Sequence, residues 1–409
     1  MGKQLDLVVH GATGFTGRLV CEYLQQRYGC GGEVAWGMAG RNRSKLQAVR
    51  DAIGAAPSLP LLLADAADPQ ALRKMAQASR LVISTVGPYQ LSGEPLLKAS
   101  IDAGTDYLDL CGEPAWMAAM IRRHHEAAVA SGARIVFSCG FDSVPFDLGV
   151  LFLQHAAMQQ HGQPLGQVHG RVLVMKGGLS GGTAASLVAM LAAMSGNAQA
   201  TRDMLDPFAL TPGFSGPPQP GGRGALWDEF SQSWSAPFVM APINTKNVHR
   251  SNYLLGHAYG REFLYDERMA CGGGHAGARR ARAMALGNRV QDLLLGFGPT
   301  RTMISRMVLP KPGDGPSARQ RDRGHYRLLF SGVGVDGRVM SAQVVGERDP
   351  GYGSTSRIIA ECALGLLHDV DRNSTRGGIW TPGAALGMAV IPRLAGRAGL
   401  RFELQTGAP

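Results

Sequence analysis

Leu5-Asp6-Leu7-Val8-Val9-His10-Gly11-Ala12-Thr13-Gly14-Phe15-Thr16-Gly17 decides the fold. An apolar run of strand length ends in glycines spaced three apart, and a helical pattern opens at the last of them. Strand, glycine turn and helix in that order make the phosphate-binding start of a dinucleotide fold. Gly11 permits the tight turn, Gly14 lets backbone approach a pyrophosphate, and Gly17 lets the helix close on the strand. The helix N-terminus then offers unpaired N–H groups and a positive dipole end. The whole loop, Gly11, Thr13, Gly14, Phe15, Thr16 and Gly17, is read as the phosphate cradle.

Outward from this loop, the first 140 residues alternate apolar runs with amphipathic stretches, the pattern of a parallel sheet wrapped by helices. Strands are expected at 5–10, 34–39, 61–64, 81–84, 107–110 and 134–138, and helices at 17–28, 44–53, 69–78, 94–103 and 114–130. Ser44 and Asp68 stand where N-caps belong. Six strands with intervening helices complete one α/β Rossmann domain, residues 1–140, a doubly wound parallel sheet. At 409 residues the chain has room for a second domain. Strands near 167–175, 326–331 and 339–347 and helices at 183–194 and 354–368 predict an α+β domain with a mixed or antiparallel sheet over 141–370. The stretch 207–224, with five prolines and five glycines, is an irregular loop.

Six cysteines without a CxxC pair read as reduced thiols in a cytoplasmic protein. No signal peptide is expected, and Asp6 stands where an N-myristoylation signal wants Ser or Thr. The apolar stretch 184–194 is too short to span a bilayer. The net charge of +10 is concentrated: residues 267–327 hold twelve Lys and Arg against four Asp and Glu. Arg279, Arg280, Arg282 and Arg289 fall on one expected helix, 276–295, with Arg279, Arg282 and Arg289 on a common face. A basic stripe with an apolar side can dock an acidic carrier protein or rest on an anionic membrane surface; a solvated face is the plainer reading.

Cofactor choice is read at the end of the second strand. An NAD enzyme needs an acid there for the ribose 2′-hydroxyl. This strand ends in Gly40-Arg41-Asn42-Arg43. Arg41, beside Asn42 and with Arg43 or Lys45 near, suits a 2′-phosphate, which favours NADP(H). Asp65 closes the third strand next to the adenine region, and Thr85-Val86-Gly87-Pro88-Tyr89 follows the fourth at the edge where open sheets bind ligands. Tyr89 reads equally as a core aromatic. No tyrosine has Lys four residues on, which excludes the Tyr–Lys pair of short-chain dehydrogenases.

Several segments together carry a resemblance. The glycine loop, Ala39-Gly40-Arg41-Asn42, Ser84 to Tyr89, Gly104-Thr105-Asp106-Tyr107-Leu108-Asp109-Leu110-Cys111-Gly112-Glu113, Gly140-Phe141-Asp142-Ser143-Val144-Pro145-Phe146-Asp147-Leu148-Gly149 and, near the end, Gly377-Gly378-Ile379-Trp380-Thr381-Pro382-Gly383-Ala384-Ala385-Leu386-Gly387 are similar to the saccharopine dehydrogenase-like oxidoreductases. Within that family the chain most resembles the trans-acting enoyl reductases, which serve polyketide and lipid synthases. The resemblance implies a Rossmann domain, an inserted α+β domain, a C-terminal segment (371–409) returning to the first, and a site in the cleft between them. True saccharopine reductases differ over Phe141-Asp142-Ser143-Val144-Pro145, which argues against saccharopine as substrate.

The 140–147 segment should cross the cleft floor, so Asp142 and Ser143 are candidates to orient substrate; capping the helix that Pro145 opens is the alternative. Tyr89 or water is a candidate proton donor. Gly112 and Glu113 border the cofactor, Glu113 binding the ribose or capping the helix at Pro114, and Asp109 is a further cleft candidate. His124 and His125 read as the solvated face of a helix, and Cys271 with His275 lacks the second pair a metal site needs. The leading expectation is an NADPH-dependent reductase of a hydrophobic acyl substrate, small or carrier-bound, such as an enoyl thioester. Imine reduction of the saccharopine type and non-catalytic NADP binding are the alternatives. Nucleic acid is not an expected partner, and a homodimer is left open.

Overall fold

A computed structural model describes residues 3–177, 189, 197–296 and 315–405. The first half alternates regularly: β1 (Leu5–His10), α1 (Phe15–Tyr28), β2 (Trp36–Gly40), α2 (Arg43–Ala52), β3 (Leu61–Leu63), α3 (Pro69–Ala78), β4 (Ser79–Ser84), the one-turn α4 (Tyr89–Ser92), α5 (Glu94–Asp102), β5 (Asp106–Asp109), α6 (Pro114–Ser131) and β6 (Arg134–Val136). Then come α7 (Val144–His161), β7 (Gln167–Lys176), β8 (Leu226–Asp228), β9 (Ser233–Pro237), β10 (Leu264–Ala270), β11 (His325–Val333), β12 (Val339–Gly346), β13 (Gly378–Trp380) and β14 (Leu400–Leu404). Long helices at Ala241–Leu254, Gly274–Gly296 and Thr355–His368 connect them. The expected helix at 183–194 and the stretch 301–314 of the basic segment lie outside the described residues.

Among the described residues the strands form two seven-stranded sheets. The first, in the order β13-β6-β5-β4-β1-β2-β3, is parallel throughout. The second, β14-β12-β11-β7-β10-β9-β8, is antiparallel except where β7 meets β10. The fold is thus a Rossmann-type sheet joined to a mixed second sheet. In the first, Leu7, Val8 and Val9 of β1 are wholly buried, as a central parallel strand covered on both faces requires. β1 lies between β2 and β4, so the winding reverses there and a crevice opens beyond His10, Gly40 and Ser84.

The first sheet has a strand more than the sequence pattern suggests, because β13 pairs with β6. The 371–409 segment divides rather than returning whole: β13 joins the first sheet and β14 pairs with β12 of the second. His125, expected in solvent, is half-buried, and its Nδ1 accepts the Ile379 N–H at 3.2 Å, helping to hold β13. Asp68 caps α3 by accepting from the Gln70 and Ala71 N–H groups, but the cap of α2 is Asn42, not Ser44. The chain enters that helix earlier, so Ser44 falls in its first turn and donates its hydroxyl to Asn42 Oδ1 at 2.7 Å.

α7 runs from the end of the first sheet into the second and is buried along most of its length. Its Asp147 accepts from Ser251 Oγ at 2.8 Å and from the Gly383 N–H at 2.7 Å, which joins three distant segments. A Cβ on Gly383 would stand 2.6 Å from the carboxylate, so only glycine allows that approach. Burial pushes the Asp147 carboxyl up to about 7, against the pull of those two donors.

Candidate functional site

The glycine loop is shaped by close approaches. Gly11 has φ +88°, and a Cβ there would lie 2.6 Å from Thr85 Oγ1 and 2.7 Å from Val86 Cγ2. A Cβ on Gly17 would sit 2.2 Å from the Gly11 carbonyl oxygen, so any larger residue lifts α1 off the turn. Gly14, at the N-cap position of α1, gives no side-chain cap, which leaves the first-turn N–H groups for an anion. Thr85 fixes the neighbouring loop: its N–H and its Oγ1 both donate to the His10 carbonyl at 3.0 Å. His10 itself is buried at the strand end, with Nε2 3.3 Å from the Ala64 carbonyl, and burial lowers its pKa to about 4, so it stays neutral.

At the β2 end, Arg41, Arg43 and Lys45 are exposed, and Arg41 has no hydrogen bond or ion pair among the described residues. Asn42 is committed to capping: its Oδ1 accepts the Lys45 N–H at 2.9 Å. Asp65 accepts the Ala67 N–H at 3.0 Å and shapes the turn after β3. Phe15 faces the second half of the chain, its ring edge-on to Tyr352 at 5.1 Å, with Arg18 and Arg321 over it.

The loop after β4 is tied from beneath. The Tyr89 hydroxyl is buried, donates to the Ser84 carbonyl at 3.0 Å and accepts the Leu110 N–H at 3.1 Å. Burial raises its pKa well above the ordinary phenol value. Glu113 accepts the N–H groups of Tyr89 and Gln90 at 2.9 and 2.8 Å, so its carboxylate caps α4 rather than α6. Gly112 beside it has open space where a Cβ would be. Asp109 is buried, and accepts from the Cys111 and Ser138 N–H groups and from Tyr107 OH, each at 3.0 Å. Those bonds help hold Ser138 at φ +59°, a backbone conformation uncommon for a residue with a side chain.

Asp142 differs from every carboxylate above. It is partly exposed at the turn between β6 and α7, and among the described residues it has no hydrogen bond or ion pair. Burial pushes its carboxyl up to about 6. Its neighbour Ser143 is fully buried and makes no cap to α7. Ser143 Oγ instead accepts from Asn247 Nδ2 at 2.7 Å and donates to Asn244 Oδ1 at 3.3 Å. Asn244 Nδ2 donates to Glu267 Oε2 at 2.8 Å, and Tyr265 OH donates to Glu267 Oε1 at 2.8 Å. Burial raises the Glu267 carboxyl well above the usual range, against the pull of those two donors. The Phe141 N–H donates to Thr355 Oγ1 at 3.0 Å on the other side. The Asp142 turn is therefore gripped from two elements while its carboxyl is left free.

The structure gathers the glycine loop, Arg41, Asp65 and Thr85 to Pro88 along the carboxyl edge of the first sheet, and the Asp142 turn follows β6 on that edge. It turns Tyr89, Glu113 and Ser143 inward. His10, Asn244, Asn247 and Glu267 were not singled out by any motif.

Residues 7–136 match the family model of the saccharopine dehydrogenase NADP binding domain. The chain is 41% identical, over 96% of each chain, to a Mycobacterium tuberculosis protein named provisionally as a trans-acting enoyl reductase. It is 37% identical, again over 96% of each, to a trans-acting enoyl reductase of Mycobacterium ulcerans. Its fold is similar to that of the apo saccharopine dehydrogenase (L-Glu forming) of Saccharomyces cerevisiae, with a TM-score of 0.51 at 12% identity, covering 98% of this chain and 100% of that one.

Proposed function

The chain belongs to the saccharopine dehydrogenase-like oxidoreductases, beside the trans-acting enoyl reductases, and on that premise we propose that it reduces the carbon–carbon double bond of an enoyl or related acyl group, with Asp142 as the proton source. NADP(H) is its cofactor, and when bound it supplies the hydride. The glycine loop and the first turn of α1 are suited to hold the pyrophosphate, and Arg41 the 2′-phosphate.

Reduction of an enoyl thioester adds hydride at the β-carbon and a proton at the α-carbon, so the site needs one group that holds a proton near neutral pH. Asp142 is that group. Its carboxyl is already pushed up to about 6, and an acyl chain packed over it removes more water and pushes it higher. The observation that carries the reading is that this half-buried carboxyl has no partner among the described residues, whereas Asp109, Asp147, Glu113 and Glu267 are all committed to the fold. Ser143 and Tyr89 then act at one remove: Ser143 fixes the turn that carries Asp142, and Tyr89 fixes the loop after β4. The names of the relatives support an acyl group carried by a partner protein as the natural form of the substrate.

The test is turnover of NADPH with a butenoyl thioester of pantetheine in heavy water. Consumption of NADPH with one solvent deuterium at the α-carbon is expected. Asp142→Asn should lower kcat by about a hundredfold or more while the Kd for NADPH holds. Reduction of an imine formed from a keto acid and an amine, without enoyl turnover, would replace the reading with saccharopine-type chemistry. Tight NADPH binding with neither reaction would make the chain a non-catalytic binder.

A further inference from the structure

The Gly274–Gly296 helix is seated on β9 by small residues: Ala278, Ala281 and Ala285 are buried, and Asn288 Nδ2 donates to the Pro237 carbonyl at 3.1 Å. Its outward side departs from a basic stripe backed by an apolar side. Arg279, Arg282, Leu286, Arg289, Val290 and Leu293 follow one another at steps of three and four, apart from the adjacent pair 289 and 290, so they share one face. All six are exposed, Leu286 at 62% and Leu293 at 75%. None of the three arginines has an ion pair among the described residues.

Beside this face lies a tryptophan pair. Trp227 and Trp234 are direct cross-strand partners on β8 and β9, with ring centroids 6.1 Å apart. The Arg282 guanidinium lies 5.6 Å from the Trp234 ring, and Trp227 is 40% exposed next to Leu226 on the edge strand. Exposed leucines and a valine, interleaved arginines and half-exposed tryptophan are together on one surface.

We propose that this surface binds an anionic lipid bilayer, the helix lying in the interfacial plane. Leu286, Val290 and Leu293 would enter the acyl boundary while the arginines reach the phosphate level, and Trp227 sits at the depth where indole rings are favoured. Three observations choose this occupant. Leu286, Val290 and Leu293 stand 62%, 47% and 75% exposed, the apolar side chains that entry into an acyl boundary needs. Their basic companions, in a chain of net charge +10, complement an anionic surface. A second copy docked through the same face would bring six arginines together without an acid among the face residues. No helix of the described residues is long and apolar enough to cross a membrane, so the contact is peripheral at this helix. This inference does not rest on the reaction proposed above.

The test is flotation of the full chain with vesicles of phosphatidylcholine alone or mixed with phosphatidylglycerol, at low and high salt. Binding to the mixed vesicles only, weakened by salt, is expected. Arg279→Glu with Arg282→Glu should cut partitioning by roughly thirty-fold or more. Leu286→Ser with Leu293→Ser, both at exposed positions, should abolish it without moving Tm. A blue shift of tryptophan emission on the mixed vesicles should shrink in Trp227→Phe. Absence of binding at low salt, or binding indifferent to both double variants, overturns the proposal. So does a dimer in solution that both double variants dissociate, or capture of an acidic acyl carrier protein by a chain that ignores vesicles.

Discussion

Asn247 donates its side-chain N–H to Ser143 Oγ at 2.7 Å, and so ties the Ala241–Leu254 helix to the turn that presents Asp142. Asn244 continues the tie to Glu267 on β10. The second sheet thereby sets where the carboxyl stands at the edge of the first, although Asp142 lies on the segment that leads out of β6, a strand of the first.

Replacing Asp142 should separate activity from stability. A raised carboxyl pKa means that, between pH 3.8 and about 6, the folded chain keeps a proton that the unfolded chain has released. Folding stability therefore falls as pH rises through that window and stays reduced above it. Asp142→Asn removes this cost, so thermal melts should show a gain of about 2 kcal/mol at pH 7, discounted for the partial exposure of the group, and almost none at pH 3.5. A variant that is both slower and less stable at pH 7 would contradict the assignment.

Arg41→Ala should weaken NADPH by about 1.5–3 kcal/mol, the worth of a charge-assisted hydrogen bond, and leave NADH nearly unchanged. Arg41 has no internal partner among the described residues, so the fold should not notice. Fluorescence titration of both cofactors decides the point, and an equal loss for the two would move the 2′-phosphate site elsewhere.

Gly17→Ala places a methyl 2.2 Å from the Gly11 carbonyl oxygen, a backbone atom that cannot step aside. Loss of NADPH binding is expected, with a stability cost of about 1–3 kcal/mol from overpacking. Calorimetric titration and a denaturant melt read both, and intact NADPH affinity would deny the close-packed loop.

Tyr89→Phe should act on stability before rate. It leaves the Ser84 carbonyl and the Leu110 N–H without their partner, a cost of about 1–3 kcal/mol. A lower Tm with kcat nearly intact is expected. The reverse, a large fall in kcat at constant Tm, would make the hydroxyl the proton donor.

The first sheet was legible because local signals agreed: glycine spacing, strand length and the 3.6-residue pattern all pointed to one unit. The Ala241–Leu254 helix was not. Asn244, Lys246, Asn247, His249, Arg250, Ser251 and Asn252 are buried there, whereas so polar a helix ordinarily reads as surface. It is buried because distant partners satisfy much of it; the Arg250 guanidinium, for example, donates to the carbonyls of Leu210 and Ile379. The inward turn of Tyr89, Glu113 and Ser143 was hidden for the same reason. Their residue types allow a site or a structural role, and only the position of the receiving atom separates the two.

The division of the last segment between β13 and β14 has a consequence for how the chain is made. A ribosome delivers the N-terminus first, yet the parallel sheet lacks an edge strand until Trp380 has emerged, and the mixed sheet lacks one until Leu404. Throughout synthesis β6 and β12 present open rows of backbone donors and acceptors, the kind of edge on which nascent chains cross-pair. A fragment stopped before Gly378 keeps both edges open. Soluble yield of nested C-terminal truncations should therefore drop in two steps, at the loss of β14 and again at the loss of β13, and co-expressed chaperones should matter most for the shortest.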